Sequence, residues 1–330
     1  MTIDGLQVGE IGFRGSAAAV GDRNDARRTT HRESDGVTLE DVVREGTLLA
    51  VALAFTALAP AFVLAQAPQG ATPSGLVDNP CPPPLQMPPE LAEILKSPNR
   101  DALMAAPPPA VVAYNQEQAR RTRDDWGNLC RYRADNAARV AADAPAPTAV
   151  FMGDSITEGW ARLGADFFSA NGYVGRGISG QVTGQNLLRF QQDVINLHPK
   201  VVHIMIGTND VAGNAGPTTY ENIQNNLMAM VQMARANKIA VVLATIPPST
   251  DFPWRRGMEP ALKFVKLNEW IRDYAKREDV VLVDYHKALA NAQNGFRTEW
   301  SGDGVHPNLE GYKIMNPLAE GAVKAALNKR

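Results

Sequence analysis

An excess of either charge is missing from this 330-residue sequence: 33 Lys and Arg stand against 35 Asp and Glu, a formal net charge of −2. With no basic field and no acidic tail, no nucleic-acid partner is expected. Cysteine is scarce, with only Cys81 and Cys130, and neither has the spacing of a metal ligand, so no zinc site is expected. In an oxidising compartment these two thiols would pair and tie a proline-rich segment to a helix; two separate buried thiols are the alternative. No Gly-x-Ser-x-Gly surrounds Ser155, because Thr157 stands where the second glycine would be, and this excludes the α/β-hydrolase elbow. Internal repeats are also absent, and beyond a single segment there is no long apolar run.

That segment is Thr47 to Ala65, closing on the small-x-small pattern Ala65-Gln66-Ala67. Residues 47–67 read as a signal peptide cut after Ala67, with export to the periplasm or the medium and no stable membrane insertion afterwards. A membrane anchor through residues 47–65 is the alternative, since the run is long enough to span a bilayer. Pro60, the alanine richness and the cleavage pattern favour the signal. Residues 1–46 fit poorly before a signal, and Glu40, Asp41 and Glu45 outweigh Arg44 where positive charge is usual. The expected native start is therefore near Val42 or Val43, with residues 1–41 a mis-assigned extension and residues 1–46 disordered for want of an apolar period.

Residues 68–146 form a separate proline-rich and helical extension. It carries Pro82-Pro83-Pro84, Pro88-Pro89 and Pro107-Pro108-Pro109, a short helix near Glu90–Lys96, and a polar helix pattern from Ala113 to Ala142. Trp126, Leu129 and Tyr132 share one face of that pattern, which predicts a helix packed on the next domain. After Ala144-Pro145-Ala146-Pro147, apolar runs at Ala149–Met152, Gly172–Val174, Val201–Ile206, Ile239–Thr245 and Val280–Val283 alternate with amphipathic segments. Ile223, Leu227, Met230, Val231 and Ala234 keep helical spacing, as do Phe264, Leu267, Ile271 and Tyr274. A last helix is expected to turn Ile314, Met315, Leu318 and Val323 inward. Short β-rich runs alternating with helices predict an α/β domain over 147–330, a five-stranded parallel sheet with helices on both faces.

The chemistry gathers at the expected strand ends. Gly153-Asp154-Ser155 is a turn after the first run, and a serine there is a candidate nucleophile at the carboxyl edge of the sheet. It needs a base, and His306 is the best of five histidines, three residues after Asp303 in a glycine-rich loop that could turn both towards one cleft. His31, His198, His203 and His286 read as structural or peripheral. Acyl transfer also needs donors for a developing oxyanion: the side-chain amide of Asn209 and the N–H groups of Gly180 and Ser155. Gly175-Arg176-Gly177-Ile178-Ser179-Gly180 matches a dinucleotide fingerprint. The strand before it is short, however, and the acid at suitable distance, Asp193, falls in a helix pattern, so no nucleotide cofactor is expected.

These blocks resemble the SGNH/GDSL hydrolases over about 147–330. The resemblance rests on Gly153-Asp154-Ser155, Ile178-Ser179-Gly180, Gly207-Thr208-Asn209-Asp210 and Asp303-Gly304-Val305-His306-Pro307, with Ile156 where the family usually has Leu. It implies a flavodoxin-like three-layer αβα fold and an esterase or lipase with Ser155, Asp303 and His306 as catalytic residues. Ser155, Gly180 and Asn209 would form the oxyanion hole, and no metal or organic cofactor is implied. The family's range leaves the substrate open. A short-acyl ester, such as an acetyl group on a carbohydrate, suits an exported enzyme; a lysophospholipid or thioester is the alternative, as is an inactive carbohydrate-binding envelope protein. Trp160, Trp254 and Trp300 lie near expected active-edge loops and are candidates for a substrate-lining wall, with plain packing as the alternative. Residues 247–256 form a long loop suited to substrate selection.

Overall fold

The apolar runs become strands β1 (Ala149–Gly153), β2 (Tyr173–Gly177), β3 (Val201–Met205), β4 (Ala240–Ala244) and β5 (Val281–Val283), all parallel in the order β2-β1-β3-β4-β5. The computed structural model describes residues 75–96, 103 and 105–329. The expected signal or anchor at 47–67 and the disordered stretch 1–46 lie outside the described residues. Among the described residues, no helix is long and apolar enough to cross a membrane. Pairing is in register from Ala149 opposite Tyr173 and Val201 onwards.

Alternation along the strands sends Val150, Met152, Val202, Ile204, Val241 and Leu243 to one face. There they pack on the helices Thr183–Asp193, Tyr220–Ala236 and Pro260–Arg277. Phe151, Val201, Met205, Val242 and Val283 point to the other face, onto the helices Ser155–Leu163 and Leu309–Asn328. This is the three-layer αβα sandwich with a five-stranded parallel sheet. The strand order reverses direction between β1 and β3, and in such sheets a crevice opens there outside the carboxyl ends of the strands. Ser155 follows β1, and the segment Gly207–Asp210 follows β3.

The edge strand β2 runs on through Gly177, further than the expected Gly172–Val174. Its end passes so close to the next helix that a Cβ on Gly177 would lie 2.2 Å from the Glu158 nitrogen and 2.6 Å from the Asp154 carbonyl oxygen. Only glycine allows this approach, and a Cβ on Gly175 would lie 2.4 Å from the Ala161 Cβ, so these two glycines of the fingerprint serve the packing of β2 against the helix that begins at Ser155. Asp193, the acid of that fingerprint, is fully buried and paired with Arg189 at 3.0 Å.

The described residues all belong to one compact unit. The helix expected over Ala113–Ala142 is two helices, Pro109–Asp124 and Arg133–Ala141. Between them the Asp125 carboxylate accepts from the Leu129 and Cys130 N–H groups at 2.7 and 2.9 Å, and Asn128 takes a left-handed φ of 54°. These interactions offer the backbone an alternative to the helical ladder. In the last helix Leu318 is exposed rather than inward. The inward row there is Tyr312, Met315, Ala319, Ala322, Val323 and Ala326, and Leu318 falls outside its spacing.

Candidate active site

Ser155 opens the helix Ser155–Leu163 directly after β1, and Asp154 caps that helix by accepting from the Ile156 N–H at 3.0 Å. The first N–H groups of a helix have no partner within it, so the Ser155 N–H is available at the turn. The Ser155 hydroxyl lies 2.9 Å from His306 Nε2, and His306 Nδ1 lies 2.7 Å from Asp303 Oδ2. Asp303 is positioned locally: its Oδ1 accepts from the backbone N–H of His306 at 2.8 Å and of Val305 at 2.9 Å. Trp300 supports the loop from below, its carbonyl accepting from the Asn308 N–H at 2.9 Å.

The electrostatics suit a base held by an acid. Partial burial opposes ionisation of Asp303, but hydrogen bonds from His306 and from the Val305 backbone outweigh it and hold the carboxyl well below the usual range. For His306, burial favours the neutral ring, and the Asp303 hydrogen bond and charge, with Asp154 adding, override it and raise the affinity for a proton above the ordinary value. The Asp303 contact to Nδ1 leaves Nε2 facing the serine, the arrangement in which imidazole takes a hydroxyl proton.

The candidate oxyanion groups come from the segments that follow β2 and β3. Gly180 sits at the turn after β2, and its N–H has no hydrogen-bond partner among the described residues. Asn209 is buried at the start of the short helix Thr208–Val211, its Nδ2 donating to the Gln181 carbonyl at 3.0 Å and lying 3.4 Å from Asp154 Oδ2. Its Oδ1 accepts from Asn214 Nδ2 at 2.7 Å, which fixes which end of the amide faces Asp154 and the turn. Asn214 Oδ1 in turn accepts from Trp254 Nε1 at 3.1 Å. Beneath them Asp210 is buried, accepting from the N–H and hydroxyl of Thr183 at 2.9 and 2.6 Å.

The three tryptophans part company. Trp254 is half-exposed on the 247–256 loop, its ring centroid 6.0 Å from that of His306. Trp160 is fully buried, packed edge-on to Phe151 and stacked beside Tyr312, with Nε1 donating to Asn316 at 2.8 Å. It belongs to the core and not to a substrate wall, because its helix turns that face onto the sheet. Trp300 is half-buried against the same core, with the Arg297 guanidinium 4.7 Å over its ring. Of the other histidines, His203 is fully buried in β3, its Nε2 2.9 Å from the Tyr285 hydroxyl, and burial pushes its pKa down to about 3. Cys81 and Cys130 are joined in a disulfide.

Reading the sequence did not single out Asp154, Glu158, Gln181, Arg189 or Asn214. Only Asp154 carried a usable signal, as an N-cap residue beside a candidate nucleophile. Each of the others has a partner remote in sequence, Ser179, Gly127, Gly153 and Trp254 respectively, and such contacts leave no local pattern.

The model of the GDSL-like lipase/acylhydrolase family matches residues 151–314. Among solved structures, a GDSL-like lipase from Bacteroides thetaiotaomicron is 43% identical, with 61% of this chain and 98% of that one covered and a TM-score of 0.57. An acylhydrolase candidate from Bacteroides fragilis is 40% identical, with 62% and 99% covered and a TM-score of 0.59. The uncharacterised lipoprotein YqeF of Bacillus subtilis is 31% identical over 141 residues, 37% of this chain and 58% of its own length. The chain thus spans little more than half of that curated relative.

Proposed function

Since the chain belongs to the GDSL-like lipase/acylhydrolase family, we propose that it is a serine esterase that removes short acyl groups through an acyl-enzyme on Ser155. The observation that carries this reading is the relay Ser155 Oγ, His306 Nε2, Asp303 Oδ2, with steps of 2.9 and 2.7 Å. His306 takes the hydroxyl proton as Ser155 attacks the ester carbonyl, and the negative charge on the carbonyl oxygen falls to the Ser155 and Gly180 N–H groups and the Asn209 amide. His306 then protonates the leaving alcohol, and a water activated by the same nitrogen hydrolyses the acyl-enzyme.

The exposed Trp254 ring beside His306 supports a carbohydrate as the alcohol partner. An aromatic face next to the group that protonates the leaving oxygen suits a sugar ring. We further propose that the chain is exported. The apolar run closing at Ala67 supports this, as does the Cys81–Cys130 disulfide, a bond that oxidising compartments maintain.

The test is a p-nitrophenyl ester chain-length series run beside acetylated xylan and glucose pentaacetate. Acetyl esters should be the best substrates, with acetylated sugar preferred over the simple ester; a maximum at long chains would reject the short-acyl assignment. Ser155→Ala should lower kcat by about a millionfold and abolish labelling by a fluorophosphonate. Turnover retained in that variant would remove Ser155 from the mechanism.

A further inference from the structure

The oxyanion side of the site leans on a strap of chain that precedes the sheet. Residues 125–133 run from the end of the helix Pro109–Asp124 to the first residue of the helix Arg133–Ala141, touch the turn 177–181 directly at two points and reach it at a third through Glu158. Tyr132 Oη donates to the Gly177 carbonyl at 2.5 Å. The Gly127 carbonyl accepts from Gln181 Nε2 at 3.0 Å. Arg131 pairs with Glu158 Oε1 at 3.0 Å, and the other oxygen of Glu158 accepts from the Ser179 N–H at 3.0 Å. Two further carbonyls of the strap, Trp126 and Leu129, accept from Gln185 and Gln192 at 2.7 and 2.6 Å.

Gln181 concentrates these contacts. It is 3% exposed, its carbonyl accepts from Asn209 Nδ2, its Nε2 is held by the strap, and its Oε1 accepts from Arg189 Nε at 2.6 Å. Arg189 also donates to the Gly153 carbonyl at 2.9 Å, two residues before Ser155. The turn itself has little backbone support: Ile178 N–H to Gly153 at 3.2 Å and Gln181 N–H to Ile178 at 3.3 Å. The Tyr132 hydroxyl and the Gly127 carbonyl of the strap, together with Glu158 and Asn209, supply the rest. Cys130 lies between Gly127 and Arg131, and its disulfide to Cys81 pins the strap to the proline-rich segment. That segment is held in turn by Arg121 to the Pro83 carbonyl and Arg133 to the Asp78 carbonyl.

We propose that residues 125–133, pinned by the Cys81–Cys130 bond, are a positioning element for the oxyanion donors, setting the Gly180 N–H and the Asn209 amide through Gly177, Ser179 and Gln181. The inference rests on the serine-esterase reading. Donors aimed at a developing charge lose most of their effect when displaced by a fraction of an ångström to an ångström. The Asp303–His306 pair is held by its own loop, so loosening the strap should spare proton transfer and damage charge stabilisation.

The experiment compares the wild-type chain with Cys81→Ser/Cys130→Ser, Arg131→Ala, Arg131→Lys and Tyr132→Phe on p-nitrophenyl acetate, below the melting temperature of each. In the double serine variant kcat should fall about tenfold to a hundredfold, with KM within about threefold and the acid limb of the pH profile unmoved. The amides of 178–181 should exchange hydrogen faster, and Arg131→Lys should regain part of what Arg131→Ala loses. Tyr132→Phe removes a single oxygen from a ring held 4.6 Å from the Arg176 guanidinium, so it tests the idea even if the serine variant does not fold. Unchanged kcat in folded variants, or a loss confined to KM, overturns the strap but leaves the esterase reading intact. A wild-type chain without Ser155-dependent turnover overturns both.

Discussion

Asp303 and His306 lie three residues apart on one loop, part-exposed, with their geometry written by hydrogen bonds inside that loop. Gly180 and Gln181 come from the turn after β2 and Asn209 from the short helix after β3, and Gln181 and Asn209 are almost wholly buried and held by groups from the strap, from Arg189 and from Asn214. The relay is thus a local device that the rest of the fold needs little, whereas the charge-stabilising side is continuous with the packing of the whole domain. Damage to the first should cost activity alone; damage to the second should cost activity and stability together.

Asp303→Asn tests the first half of that contrast and should have the largest effect of the substitutions that probe it. The substituted amide keeps an oxygen for the Val305 and His306 N–H groups but turns a donor towards Nδ1, which forces the wrong tautomer on the ring. A loss of about ten-thousandfold in kcat is expected, with a melting temperature close to wild type. A large drop in melting temperature would show that the loop is not self-supporting.

Asn209→Ala tests the other half. It should lower kcat by about a hundredfold to a thousandfold. It also strips a partner from the carbonyl of the buried Gln181, worth on the order of 1–3 kcal/mol when left unsatisfied. Chemical denaturation should therefore report a destabilisation absent from Asp303→Asn. Equal stability in the two variants would dissolve the distinction.

The contrast also explains what could be read in advance. Five strands and the helices of the domain were legible because Val150, Val202 and Val241 stand in apolar runs of strand length, and Ile223, Leu227 and Met230 keep helical spacing. Asp303 and His306 were legible because three residues and a glycine bring them together. The break at Asn128 was not, because the polar pattern through it continues at helical period and only the Asp125 side chain diverts the backbone. Trp160 lies close in sequence to Ser155, but the helix phase that buries it depends on Phe151 and Tyr312, which are remote from each other. Gln181 and Arg189 lie outside any motif because their partners are at Gly127 and Gly153.

Asp154 belongs to both halves, and substituting it should have the smallest effect on turnover and the most informative one. It is 1% exposed, and burial pushes its pKa up to about 6 from 3.8, against the pull of the Ile156 N–H and of His306. The folded chain then holds this proton more tightly than the unfolded one between those values. The stability it lends is full below pH 3.8 and lost as pH rises through 6, so the ionised carboxylate costs about 3 kcal/mol at pH 7. Asp154→Asn keeps the cap oxygen and removes the charge, so it should stabilise the chain by up to that amount at pH 7 and by almost nothing at pH 4. The His203 ring, with its pKa pushed down to about 3, loses stability as pH falls below 6.5; that slope is common to both proteins and cancels in their difference. The same substitution removes one of the charges that raise His306, so the acid limb of kcat/KM, which rises as His306 loses its proton, should move to lower pH. Because the two groups titrate as a coupled pair, the limb should also become simpler in shape. Melting curves and pH–rate profiles of the two proteins decide the matter: a variant no more stable at pH 7, with its acid limb unmoved, would mean that the Asp154 charge neither burdens the fold nor serves the histidine.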